Sequence, residues 1–146
     1  MADGGRKMVR VRDEGVFDAP IDRVWKYLND APNHQHSITK LGPVLEQKGN
    51  AIKIAGQVKN PDGTWRNETY VMTMNPPTSF TLETIDGPTK GTKHTHTYTP
   101  QGNRTKVVVE GDFVNPGADE ATTRKAVLAY FDTMFTEDNA SLKKYK

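Results

Sequence analysis

The sequence predicts an α+β domain: an antiparallel sheet of about seven strands, curved around one long C-terminal helix, with a short helix pair after the first strand. Three observations carry this reading. Six short extended runs between Leu41 and Val114 are separated by turns bearing Gly, Asn, Asp and Pro, which is how an antiparallel meander reads. Seventeen Thr against six Leu is a strand-forming composition rather than a helix-forming one. From about Ala118 to Lys144 the apolar spacing changes to a 3.6-residue period.

The elements follow in order. Residues 1–7 form a polar leader expected to be disordered. Val9 and Val11 then alternate with Arg10 and Arg12 in a strand that runs on to Phe17. Pro20 suits a first helical turn, where its missing N–H costs nothing. Ile21, Val24, Trp25 and Leu28 fall at helical spacing, and Pro32 ends that helix. Asn33 to Ser37 is read as the second, shorter member of the pair. The meander comprises Leu41–Glu46, Ala51–Lys59, Trp65–Met74, Ser79–Ile85, Gly91–Thr99 and Arg104–Val114. In the last segment Val127, Phe131, Met134, Phe135 and Leu142 share one helical stripe, interrupted by Asp138. Either the helix frays near Glu137-Asp-Asn139, or the Asp138 carboxylate faces a polar part of an internal space. Fraying is the favoured reading, because helix ends in charged, Asn-containing runs are common.

At 146 residues the chain is one domain's length, and no repeat or linker divides it. Apolar residues make up only 34%, charged residues 26%, and the mean hydropathy is −0.74. No run approaches the roughly 20 apolar residues of a membrane-spanning helix. Twelve Val with the patterned aromatic residues argue against disorder, so the chain is folded yet short of core. A net charge of +2 is too balanced for a nucleic-acid footprint, and the dense basic runs lie at the two ends. Without Cys there is no disulfide, thiol nucleophile or thiolate metal site. No secretory signal precedes the fold, so a cytoplasmic location is expected and the three Asn-x-Ser/Thr matches are read as chance.

Three stretches resemble a known superfamily. Ala19-Pro-Ile-Asp-Arg-Val-Trp-Lys-Tyr-Leu-Asn-Asp30 is similar to its opening helix. Tyr70-Val-Met-Thr-Met-Asn-Pro-Pro-Thr-Ser-Phe80 resembles its strand, proline turn and aromatic return. Gly91 through Val107 resembles its penultimate hairpin. These stretches and the order of elements resemble the helix-grip fold of the START / polyketide cyclase-like (SRPBCC-type) superfamily. Its members include lipid carriers, hormone receptors, polyketide cyclases and chaperone activators, so the resemblance implies fold more than activity. It also implies a cavity between the curled sheet and the last helix.

Strand alternation assigns the lining of that cavity. In Gly91–Thr99 the even set, Thr92, His94, His96 and Tyr98, faces in, since Lys93 prefers solvent. A hairpin pairing Thr99 with Arg104 then turns Thr105, Val107, Val109, Gly111 and Phe113 inward, and this is the apolar set. Phe80, Leu82 and Thr84 face in from the preceding strand. Tyr70, Met72 and Met74 do so from the one before, drawing Arg66 and Glu68 with them. Ile52, Ile54 and Val58 complete the wall. Four-residue turns at 75–78 and 86–89 would invert this parity, so odd-length loops or bulges are required there.

All four histidines occur as His-x-His pairs, His34/His36 and His94/His96. Residues i and i+2 of a strand share a face about 6–7 Å apart. A metal would need further donors, and no metal or cofactor is expected. As general acid–base groups His94 and His96 are the candidate catalytic residues. The expected function is binding or transport of a small hydrophobic or amphipathic molecule. Arg66, Glu68, Tyr70, Met72, Phe80, Leu82, Tyr98, Val107, Val109, Val127, Phe131, Met134 and Phe135 are the candidate ligand-binding residues. A cyclase- or dehydratase-like enzyme using a cavity histidine is the alternative, and a partner-binding module resembling chaperone activators is a third.

Overall fold

A computed structural model describes residues 8–30, 37, 39–60 and 62–145. The strands are β1 (Met8–Phe17), β2 (Thr39–Lys48), β3 (Ala51–Lys59), β4 (Trp65–Asn75), β5 (Ser79–Asp86), β6 (Lys93–Gln101) and β7 (Arg104–Val114); the helices are α1 (Ile21–Leu28) and α2 (Glu120–Lys144). The seven strands form one antiparallel sheet in the order β1-β7-β6-β5-β4-β3-β2. This curved sheet, gripping the long helix, is the helix-grip fold. The second member of the expected helix pair, the leader and the His34/His36 pair lie outside the described residues.

The loop lengths keep the inward faces consistent. β4 runs one residue further than its sequence pattern, so Asn75 pairs with Ser79 across three loop residues. Between β5 and β6, Glu83 pairs with Lys93, and the odd-length connection of residues 84–92 meets the same requirement there. Met72 therefore sits opposite Leu82, Met74 opposite Phe80, and Leu82 opposite His94. The β6–β7 hairpin differs from expectation by two residues: Gln101 pairs with Arg104 and Thr99 with Lys106. A two-residue loop with positive φ (65°) at Gly102 closes it, as a type II′ turn requires. A shift of two leaves the parity intact, so Val107, Val109 and Phe113 remain inward and buried.

The main core gathers Val9, Val11 and Phe17 of β1, Val107, Val109 and Phe113 of β7, and Tyr98 of β6 against Val24, Trp25 and Tyr27 of α1 and Phe131 and Leu142 of α2. Full burial of such a side chain contributes about 1.5–3 kcal/mol. Pro20 stands one position before the helix, extended at ψ 158°, and its carbonyl accepts from the Arg23 and Val24 amides. Helix α1 is pinned by Trp25 Nε1 donating to the Pro77 carbonyl at 2.6 Å, and by Thr105 Oγ1 donating to the Ala19 carbonyl at 2.8 Å. The Asp119 carboxylate caps α2 by accepting from the Thr122 amide at 2.7 Å.

The expectation that α2 frays near residue 138 is wrong. The helix is unbroken to Lys144, and the Asp138 carboxylate is buried where the Tyr27 hydroxyl donates to it at 3.0 Å. Asn139 Oδ1 accepts from the Asp18 amide at 2.9 Å, and Tyr145 OH donates to Asp30 at 2.9 Å. The polar residues that looked like a helix end instead join α2 to α1 and its flanks.

Candidate functional site

Where α2 crosses the concave face, its N-terminal half stands away from β3, β4 and β5. The space left is a cavity of about 410 Å³. Its apolar walls are Val58, Leu82, Phe113, Val127 and Phe131; Arg66, Glu68, Tyr70, Thr89, His94 and Tyr130 bring polar atoms to it. Its rim includes Lys59, Asn60, Pro88, Asn115 and Pro116, all at strand ends or in loops.

One corner is a hydrogen-bonded knot around Glu68, which is only 5% exposed. Glu68 Oε1 accepts from the Tyr70 hydroxyl at 2.9 Å, and Oε2 accepts from the Thr89 amide at 3.0 Å and from the Thr89 hydroxyl. Arg66 lies beside it, with Nε 3.5 Å from Glu68 Oε1 and Nη1 donating to Asn60 Oδ1 at 2.8 Å. Arg66 Nε is buried and meets Glu68 at ion-pair rather than hydrogen-bond distance. Burial raises the Tyr70 phenol pKa, and the neighbouring Glu68 raises it further, so Tyr70 keeps its proton and donates. Burial also raises Tyr130, whose hydroxyl is 2.7 Å from Thr39 Oγ1.

A second corner holds the His94/His96 pair. Their rings come together, with His96 Nε2 3.0 Å from His94 Nδ1. His94 stacks on Phe113 and His96 on Phe80, at centroid distances of 5.1 and 4.4 Å, and both meet the edge of Phe131. This approach depends on Gly111, directly opposite His94 in β7. A β-carbon there would lie 2.2 Å from the Lys93 carbonyl oxygen and 2.5 Å from His94 Cα. Burial lowers the His94 pKa to about 4, so the ring is neutral at pH 7 and serves as a hydrogen-bonding group. Among the described residues, no group of three or more His, Cys, Asp or Glu side chains is gathered to hold a metal ion.

The sequence pattern of a family described as polyketide cyclase / dehydrase and lipid transport matches residues 8–145. The chain belongs to this family. Solved structures share its fold. TTHA0849 from Thermus thermophilus superposes with a TM-score of 0.75 at 15% identity, covering 92% of this chain and 97% of that one. The Zhui aromatase/cyclase from a Streptomyces species gives a TM-score of 0.71 at 18% identity, with 92% and 91% coverage. Ara h 8.0201 gives 0.69 at 12% identity, with 94% and 99% coverage. No curated protein sequence matches the chain.

Within this family fold the cavity collects only part of the set read from the sequence. Arg66, Glu68, Tyr70, Leu82, His94, Val127 and Phe131 line it. Phe80, Tyr98, Val107, Val109 and Phe135 belong to or pack against the solid core beyond the histidines, and Met72 packs on the smaller Ile54–Val58–Tyr70 cluster. Met134 is half-buried and His96 lies between Phe80 and Phe131, both outside the cavity lining. The physical reason is the course of α2, whose C-terminal half is drawn down by Phe135 against Phe17 and by Asp138 against Tyr27. Tyr130 and Thr89 are cavity residues that the sequence reading missed. Tyr130 was within reach, since it stands at i+3 from Val127 on the same helical face. Thr89 lies in a loop and carries no periodic signal. A second hollow of about 360 Å³, on the convex face over Arg10, Lys93, Thr95, Glu110 and Asp112, contains none of the candidate site residues.

Proposed function

We propose that the protein binds a small amphipathic molecule in the cavity, with an apolar body against Leu82, Phe113, Val127 and Phe131 and an oxygen-bearing end at Arg66. The observation that carries this is the pairing, in one cavity of about 410 Å³, of an apolar wall with a polar corner built from Arg66, Glu68, Tyr70 and Thr89. Ligand sites are commonly of this size and build, mostly apolar with a few convergent polar groups. A hydroxyl, carbonyl or carboxylate oxygen on the ligand meets this corner, where the Arg66 guanidinium lines the cavity. The family's description, which spans cyclisation, dehydration and lipid transport, supports a ligand of this class.

The test is thermal unfolding with a medium-chain fatty alcohol, 2-naphthol and the corresponding hydrocarbons. Ligand at about 100 times its Kd stabilises by roughly 2.7 kcal/mol. The oxygenated probes raise Tm, the hydrocarbons less so, and Ala126→Trp at the exposed rim blocks the effect. No shift with any probe would overturn the reading. A cyclase- or dehydratase-like reaction is the second reading, favoured by His94 lining the cavity while bonded to His96. It requires turnover that His94→Gln removes while the alcohol-induced shift persists.

A further inference from the structure

We propose that the β2–β3 edge of the sheet is a docking surface for an anionic lipid bilayer. β2 is the outermost strand, and all its residues after Thr39 are exposed. Among the described residues five large apolar side chains are exposed, and three of them are here: Leu41 (50%), Val44 (55%) and Leu45 (54%). A single exposed Leu is ordinary; three on one edge strand form a patch.

Charge and the apolar patch together identify the partner. Residues 39–59 contain Lys40, Lys48, Lys53 and Lys59 against Glu46 alone, a net of +3, whereas the whole chain carries +2. The hairpin is thus basic, as are the two chain ends and residues 87–109, which carry Lys90, Lys93, Arg104 and Lys106 with no acidic residue; what sets it apart is the exposed apolar patch on the same strand. On the outward face, Trp65 of β4 holds the Lys40 ammonium 4.3 Å and the Lys59 ammonium 6.0 Å from its ring centroid. Leu41 and Val44, opposite Gly56 and Ile54, lie on the concave side of the edge, and Lys40, Lys53, Lys59 and Trp65 on the convex side; an edge set into the headgroup boundary takes both, apolar side chains toward the tails and ammonium groups at the phosphates.

The geometry of the edge disfavours a second protein strand. Pro43 lacks an N–H, and the β2–β3 register shifts between Leu41 and Val44 and again between Val44 and Glu46. Breaks of this kind blunt an edge against strand addition. Like-charged copies of the patch also repel one another. A bilayer needs no register and accepts the irregular edge. Val58 and Lys59, at the end of β3, also line the cavity, so docking places its mouth beside the lipid.

The experiment is co-sedimentation of the full chain with vesicles of phosphatidylcholine, or of an equal mixture of phosphatidylcholine and phosphatidylglycerol. Binding is expected to the mixed vesicles only, weakening with added salt. It falls about fivefold for each lysine removed in Lys48→Gln and Lys53→Gln. The combined Leu41→Ser, Val44→Ser and Leu45→Ser variant, all at exposed positions, abolishes it. The fatty-alcohol thermal shift is measured separately on the same variants and persists, so failure of docking is distinguishable from failure of the cavity reading. Equal binding to both vesicle types, or wild-type binding by the serine variant, overturns the proposal. So does a lipid-independent dimer that the serine variant dissolves, which would assign the patch to a second copy of the chain.

Discussion

Replacing Glu68 by Gln tests the polar corner with almost no change of shape. The carboxylate accepts on both oxygens, from Tyr70 OH at 2.9 Å on one side and from the Thr89 amide at 3.0 Å and the Thr89 hydroxyl on the other. The Gln amide keeps one oxygen and turns the other into an NH₂ donor. If the NH₂ faces Thr89, the Thr89 N–H loses its acceptor. If it faces Tyr70, it also confronts the Arg66 Nε–H, which lies 3.5 Å from that oxygen. Either orientation sets donor against donor at a side chain only 2% exposed. Hydrogen bonds to charged groups contribute about 1.5–3 kcal/mol each, and an orphaned buried donor costs about 1–3 kcal/mol. A loss of about 2–4 kcal/mol is expected, or about 4–15 °C in Tm for a domain of this size. Urea unfolding reads it as a lower midpoint at unchanged m-value. A double-mutant cycle with Thr89→Val should give a coupling of at least about 1 kcal/mol. Glu68→Gln within about 0.5 kcal/mol of wild type, or no coupling to Thr89, would refute the idea that this knot anchors the cavity rim.

Three further outcomes are expected. Tyr27→Phe removes the hydroxyl that donates to buried Asp138 at 3.0 Å and should cost about 1.5–3 kcal/mol in urea unfolding. Burial lowers the folded-state pKa of His94 to about 4 from an ordinary value near 6.5. Between those values the unfolded chain binds a proton that the folded one does not, so stability falls as pH drops from 6.5 to 4; His94→Gln should remove on the order of 2–3 kcal/mol of that slope. Asp13 on β1 has its pKa raised, first by burial and then by a hydrogen bond to Asp132 of α2, so its ionised form is disfavoured in the fold. Its contribution is fully present below the unfolded pKa and is lost as pH rises through the folded one. Asp13→Asn should therefore stabilise at neutral pH, and the gain should vanish in acid melts.

The order of elements was legible because each carries its own local signal. The Asn60-Pro-Asp-Gly63 turn follows a strand that ends at Lys59, where the β-pattern stops. Pro20 marks the start of α1 to within one residue, while the helix ends at Leu28, short of the Pro32 expected to stop it. Asp138 was misread because a buried carboxylate and a fraying helix end look alike in one dimension. Tyr27, the partner that distinguishes them, is 111 residues away in sequence. The two-residue slip at the β6–β7 turn escaped notice because a shift of two leaves every side chain on its expected face.

By itself the sequence determined which side chains face the concave side, because strand alternation has a period of two and the apolar set occurs at one parity only. It thereby determined the candidates for a cavity wall. It did not determine which of those candidates enclose open space. That depended on where a single rigid helix lies across a curved sheet. Phe135 and Asp138 draw the C-terminal half of α2 into contact with Phe17 and Tyr27, and the residues beneath it become solid core. The N-terminal half stands clear, and the cavity is left to Arg66, Glu68, Tyr70, Leu82, His94, Val127, Tyr130 and Phe131. Such a division is set by packing between segments remote in sequence, and no local pattern of residues encodes it.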